Sequence, residues 1–281
     1  MNKIDLAGLA RKKAGAGPKR TVHFRPIHPT QGAVDDLERL IVKAHRQVWT
    51  EARKHLLPVA KEASKAMADD EAGRLTSTLK LIRNILASAL AGIAIDWTLQ
   101  RIFEGEEQRH RRRMVEQVKS RVGIDLQHII SRDDLSEAIA LSVQKSVSAI
   151  QGLNDDVAKM VERKILDAVL AGSSAPALAK ILSDSFGWSI RRARLIARDQ
   201  IASFNGNLNR LRQTQLGIKE YSWKNTGDER VRGNPDGKYP NARPSHWDRE
   251  GKRFRWDTPP EGGHPGEAVL CRCVGIAILE Y

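Results

Sequence analysis

Four residues near the C-terminus carry the side chains with the most chemistry to offer: His246, His264, Cys271 and Cys273. Imidazole and thiolate are ligands that zinc prefers, and together these residues could supply a four-ligand set. A bound metal would also lend folding energy to a stretch too thin in apolar residues to build much core. The spacings are irregular, and Cys-x-Cys departs from the commoner knuckle in which two residues separate the cysteines. A second reading therefore keeps both thiols as small core residues on a last strand. Alternation along such a strand would turn Cys271 and Cys273 to one face and Arg272 to the other. A disulfide between such close neighbours would be badly strained.

Two further constellations compete for Asp228. Paired with His246 it could serve as an acid–base couple for metal-assisted phosphodiester cleavage. Paired with Arg230 across one turn, above Trp223, it would only specify the fold. Residue type is all that favours catalysis, so the structural reading is preferred, with no catalytic or cofactor-binding residue beyond the possible zinc ligands.

Basic residues form two notable runs. Arg253-Phe254-Arg255-Trp256 alternates, which predicts a strand with an aromatic inner face and a basic outer one. Its rings would join Trp223 and Trp247 in a small core, leaving Arg253 and Arg255 for phosphate contact; stacking of the rings on single-stranded nucleic acid is the other possibility. Arg109 to Arg113, with His110 between, would spread around most of a helix. Either this is a solvated linker helix, or Arg111, Arg112 and Arg113 belong to a basic collar facing a portal or DNA. The net charge of +13 favours a polyanionic partner.

These side chains must be positioned by helices first and strands last. Hydrophobic residues make up 41% of the 281, enough for a real core, but aromatics are only 5%, a palette suited to packed helices. Residues 1–30, broken by Gly15, Gly17, Pro18, Pro26 and Pro29, read as a flexible basic arm. Helical spacing begins at Val34 and is kinked or ended at Pro58. It resumes from about Leu75 to Phe103, with a stop at Gly105, then over Asp133–Ile150 and Asn154–Ala171. A turn at Gly172 to Pro176 marks the division between a helical region (31–172) and a C-terminal domain (173–281). Two helices flanking Gly187, the second carrying Arg191, Arg192, Arg194 and Arg198, have the outline of a helix-turn-helix. Beyond Gly217 the period changes. Tyr221 and Trp223 alternate with polar neighbours, part of Val269–Ile278 does likewise, and Pro and Gly crowd the interval. The expected class is α+β: long N-terminal helices, then a small loop-rich α+β domain with short antiparallel strands. No apolar run approaches the roughly 20 residues of a membrane span, and no secretory signal core is present.

The last third carries a recognisable order of elements. Arg192-Ala193-Arg194-Leu195-Ile196-Ala197-Arg198-Asp199 is followed by Gly217-Ile218, Tyr221-x-Trp223 and Asp228-Glu229-Arg230-Val231-Arg232. His246, Gly251, Pro259-Pro260, Pro265-Gly266 and Cys271-Arg272-Cys273 complete it. This order resembles the phage Mu F-like head morphogenesis (minor head protein) family, and on it Arg198, Trp223, Asp228, Arg230, Pro260 and Arg272 are motif positions. Many relatives have cysteines just after Asp-x-Arg-Val, where this chain has Arg232 and a Gly/Pro-rich insertion. That difference leaves open a metal site inferred from the cysteine-rich relatives.

The resemblance implies a structural, non-enzymatic role in tailed-phage capsid assembly. It also implies portal and capsid or scaffold proteins as partners, non-specific contact with double-stranded DNA during packaging or ejection, and residence in the virion after synthesis in the host cytoplasm. A homo-oligomer is a further expectation. The rival readings are a metal-assisted nuclease or delivered toxin, and a helix-turn-helix regulator.

Overall fold

The computed structural model describes residues 3–66, 80–81, 84, 95–130, 135–171, 173 and 175–281. Among these residues run five helices: α1 (Leu6–Ala14), α2 (Gln31–Ala66), α3 (Ile95–Val122), α4 (Ser136–Leu170) and α5 (Ala175–Gln215). Four strands accompany them, β1 (Thr21–His23), β2 (Glu220–Lys224), β3 (Arg253–Arg255) and β4 (Val274–Glu280), forming one antiparallel sheet in the order β1-β4-β2-β3. The α+β class is as the sequence predicts. Most of the helix expected over 75–103, and Asp133 and Gly172, lie outside the described residues.

The helices run further than their punctuation suggests. Helix α2 continues through Pro58, α3 through Gly105, α4 through Gly152 and α5 through Gly187. An interior Gly costs a helix about 1 kcal/mol relative to Ala. Burial of a few large side chains outweighs that, at about 1.5–3 kcal/mol each, and α3 buries Leu99, Phe103, Met114 and Val118 while α5 buries Ile201, Phe204 and Leu208. Because α5 has no corner at Gly187, the helix-turn-helix outline is not present, and the regulator reading loses its basis.

Residues 3–30, expected as part of a flexible arm, are fastened to the fold. Asp5 caps α1 by accepting from Gly8 N, and Ile4 N donates to Gln215 O at 2.7 Å. Strand β1 pairs with β4, Val22 opposite Leu279. Leu6, Phe24 and Ile27 are buried in one core cluster with Met114, Leu126 and Leu216. The apolar residues of this stretch are few, but four of them, Leu6, Ala10, Phe24 and Ile27, are buried, and β1 pairs along the sheet edge.

The chain divides into two compact units, 1–34 with 100–143 and 198–281, and 35–99 with 144–197. The boundary expected near 172 separates neither, since α5 starts there and runs on without interruption. In the second unit, Leu37, Ile41 and Ala44 of α2 and Val157, Val161 and Ile165 of α4 are buried. Trp49 stacks on Phe186 at 5.7 Å, and Arg194 pairs with Glu38 at 2.7 Å.

The first unit holds the sheet. Tyr221 faces Phe254 on one side and Ala277 on the other, and Trp223 lies opposite Gly275. Gly275 admits the Trp256 ring, since a Cβ there would fall 2.8 Å from Trp256 Cη2. Gln213 of α5 fastens this layer, accepting from Trp256 Nε1 at 2.9 Å and donating to the Gly275 carbonyl at 2.8 Å. Trp223, Tyr221, Trp256, Cys271 and Cys273 form a second core cluster. Trp247, expected among these rings, is only half-buried.

Candidate metal centre

The segment between β2 and β4 is held by turns and side-chain bonds. Val231 N bonds Asp228 O, Asn234 N bonds Val231 O and Gly237 N bonds Asn234 O, a chain of tight turns. The Arg232 carbonyl then accepts from both His246 N (2.9 Å) and Trp247 N (3.0 Å). Glu250 anchors the far side, accepting from Lys224 Nζ at 2.5 Å and Asn225 N at 2.6 Å. Together these bonds deliver the His246 ring, edge to face, onto Trp223 at 5.1 Å between centroids.

The thiols arrive from the other direction. Cys271 N closes a turn on Ala268 O, and Leu270 takes a left-handed conformation (φ 57°) with its N–H on Asp199 Oδ1 at 2.5 Å. Arg232 donates to the Val269 carbonyl at 2.8 Å. Cys271 and Cys273 precede β4 instead of lying on it, so the expected Cys-Arg-Cys strand is corrected to an extended approach to the strand. The same-side geometry nonetheless appears. Cys271 Sγ is 3.5 Å and Cys273 Sγ 3.6 Å from His246 Nδ1, while Arg272 turns away to donate to Asp228 Oδ1 at 2.6 Å.

Three buried ligand atoms thus lie within 4.8 Å of one another. His264 is not among them. Its Nδ1 sits 2.9 Å from Tyr221 Oη and its ring packs 5.0 Å from Trp256, a position in the aromatic core. Burial lowers the His264 pKa and raises that of the Tyr221 hydroxyl, keeping both neutral. The four-residue ligand set read from sequence therefore reduces to His246, Cys271 and Cys273.

The sulfur pair is electrostatically asymmetric. A hydrogen bond from Cys273 draws the Cys271 pKa well down against the opposing effect of burial, with His246 assisting. The same bond, together with burial, drives Cys273 up. Of the two thiols, Cys271 is therefore the first to ionise. Asp228 is held below the usual carboxylate range, chiefly by the Arg272 guanidinium and then by the Arg230 backbone N–H. The expected Asp228–Arg230 side-chain pair is not formed; Arg230 reaches Glu229 instead, at 3.9 Å.

The arginines considered for phosphate contact are mostly engaged with acids. Arg253 pairs with Glu280 at 3.0 Å, Arg255 with Asp257 at 2.6 Å and Arg111 with Glu107 at 3.6 Å. Arg112 is exposed, and Arg113 donates to His28 O at 3.0 Å. All three lie within α3. Arg198 is exposed on α5, and the Pro260 carbonyl closes a turn with Gly263 N.

Asp199 and Gly206, both on α5, also position the site, and the sequence reading passed over both roles. Gly206 interrupts the buried positions Ile201, Phe204 and Leu208, a pattern that signals close backbone approach. A Cβ there would lie 2.6 Å from Pro265 O and 3.0 Å from Gly266 Cα. Gly266 N in turn donates to Cys271 Sγ at 3.4 Å. Gly206→Ala should therefore destabilise by about 1–3 kcal/mol, because backbone atoms cannot swing aside. Gly187→Ala on the same helix meets only the Arg191 guanidinium, at 3.9 Å. It should instead stabilise, by about 0.5–1 kcal/mol. Urea unfolding of both variants checks this; shifts of the same sign would mean that the Pro265–Gly266 loop is not pressed on the helix.

Residues 159–276 match the family described as Phage Mu protein F like protein. A protein of Haemophilus influenzae (strain ATCC 51907 / DSM 11121 / KW20 / Rd), described as "Uncharacterized protein", is 29% identical over 181 residues. That alignment takes in 64% of this chain but 38% of the relative, so the chain spans well under half of that relative's length. No solved structure matches.

Proposed function

We propose that this chain, Mu F-like over residues 159–276, is a structural minor head protein of a tailed phage. It acts in capsid assembly near the portal vertex and touches packaged DNA without sequence preference. The observation that carries this reading is how the motif residues are used. Trp223 supports His246, His246 meets both thiols, and Arg272 engages Asp228, so the ordered tail is consumed in holding itself together. Asp228 is committed to a guanidinium and His246 Nδ1 to sulfur, which leaves neither poised as an acid–base partner for the other. Such a module suits attachment better than turnover.

The basic surface supports the DNA contact. A net charge of +13 attracts a packaged duplex through its phosphates. The partners are portal and capsid or scaffold proteins, with self-association a further part of the proposal, and the location is the capsid interior or portal vertex. No helix among the described residues is long and apolar enough to cross a membrane.

Co-expression with the cognate portal and major capsid proteins, followed by purification of particles, tests the proposal. The chain should co-purify with particles in few copies. Particles that assemble normally without incorporating it would overturn the assignment, as would plasmid cleavage abolished by Asp228→Ala or His246→Ala.

A further inference from the structure

We infer that His246 Nδ1, Cys271 Sγ and Cys273 Sγ bind a single zinc ion, with a solvent molecule completing the coordination. Zn–S bonds of about 2.3 Å and a Zn–N bond of about 2.0–2.1 Å at tetrahedral angles place nitrogen and sulfur roughly 3.6 Å apart. The two nitrogen–sulfur separations here are 3.5 and 3.6 Å. Both nitrogen–sulfur edges therefore already have the length found in a zinc tetrahedron, and all three ligand atoms lie within 4.8 Å of one another.

Charge favours the same ion. Two thiolates and a neutral imidazole around a divalent cation sum to zero, so the loaded centre can be buried without an uncompensated charge. These residues are indeed nearly enclosed, with His246 3% exposed and each cysteine 6%. Sulfur and nitrogen donors select zinc over magnesium, calcium or manganese. The surroundings suit a thiolate centre too. The Gly266 N–H points at Cys271 Sγ, the backbone donor that a metal-bound sulfur commonly takes. No fourth His, Cys, Asp or Glu joins the group among the described residues.

The centre also has structural work to do. Between β2 and β4, residues 225–273 hold a single three-residue strand, so this stretch has little ladder to fix it. His246 lies near the middle of that stretch and the cysteines at its end. One ion would cross-link them and close the loop onto the Trp223 face of the sheet. An irregular segment of this length in a compact unit calls for such a clamp.

The test is elemental analysis of the purified full-length chain after dialysis, followed by cobalt exchange. About one zinc per chain should be retained, and the cobalt form should show thiolate charge-transfer bands with the visible bands of a tetrahedral ion. Neither measurement needs a variant. Zinc at background level and no thiolate–cobalt band in the unaltered protein would overturn the inference. Cys271→Ser and Cys273→Ser should lose or weaken the metal. His264→Gln, if folded by circular dichroism, should keep it. Loss of zinc from folded His264→Gln would overturn the three-ligand assignment.

Discussion

Replacing Arg212 with Met should lower the unfolding free energy by about 3–5 kcal/mol. Arg212 on α5 and Glu107 on α3 are 0% and 1% exposed and meet at 2.5 Å. Arg212 Nη1 also donates to Gln215 Oε1 at 2.7 Å. Without the guanidinium, the buried Glu107 carboxylate is still paired, among the described residues, with the Arg111 cation at 3.6 Å. Its second oxygen already has no hydrogen-bond partner among the described residues. An uncompensated buried charge of this kind is what makes the single change severe. Glu107→Met removes the carboxylate that this buried guanidinium faces and should also be destabilising. The double variant Arg212→Met/Glu107→Met removes both charges and fills the space, so its loss should be far smaller than the sum. Urea titration of the four proteins gives the coupling directly. Additive losses would show that the two charges do not stabilise one another. Helix α5 also carries Asp199, Gly206 and Gln213, all of which hold the sheet and the thiol loop. Weakening this ion pair should therefore loosen the candidate centre before it loosens the helix.

Sequence legibility followed the range of the interactions. Tyr221 and Trp223 declare β2 because alternation is a two-residue signal, and Arg253-Phe254-Arg255 declares β3 for the same reason. The shared direction of Cys271 and Cys273 is likewise local, and it survives although the residues lie before the strand and not on it. Partners distant in sequence were not legible. Asp228 was assigned to Arg230 by proximity. The turn that follows instead presents the Arg230 backbone N–H to Asp228 and leaves the side chain to Glu229, while the guanidinium on Asp228 comes from Arg272. His264 looked like a ligand by type, yet the register that puts Tyr221 beside Phe254 also puts its hydroxyl against His264. The breaks assigned to Gly105 and Gly187 failed because a glycine's propensity is small beside tertiary burial along a long helix. The Arg212–Glu107 pair is separated by 105 residues and has no local signature at all.

A second large effect should appear on acidification, and its source is His110. This ring lies buried on α3 with Nε2 3.2 Å from Asn209 Oδ1, so Nε2 carries the proton. Its Nδ1 is buried with no partner among the described residues. A second proton would place a cation there with nothing to accept it. Burial is the main cause of a pKa lowered from 6.5 to about 4; the Asn209 bond works the other way, and Arg212 and Arg113 add repulsion. The sign follows from which state binds the proton. Above pH 6.5 the ring is neutral folded and unfolded, and its contribution is constant. Between pH 6.5 and 4 the unfolded chain takes up a proton that the folded chain refuses, so stability falls as pH falls. At 1.36 kcal/mol per pKa unit the full loss is about 3 kcal/mol, complete below pH 4. Carboxylates titrate in part of the same window, so the comparison must be with His110→Gln, which can still donate to Asn209 but cannot ionise. Unfolding free energies of both proteins, measured by urea titration from pH 7 to 4.5, should diverge. The unaltered protein should show the steeper decline, by about one proton's slope; parallel curves would mean that His110 is not the acid-labile group. Asn209 ties the outcome to the N-terminal segment, since its amide also donates to Ile27 O at 3.1 Å beside the Asn205 bond at 2.9 Å. Protonating His110 therefore opposes the contact that fastens Ile27 into the core, and the strand entering after α1 should be the first element to lose its protection against hydrogen exchange.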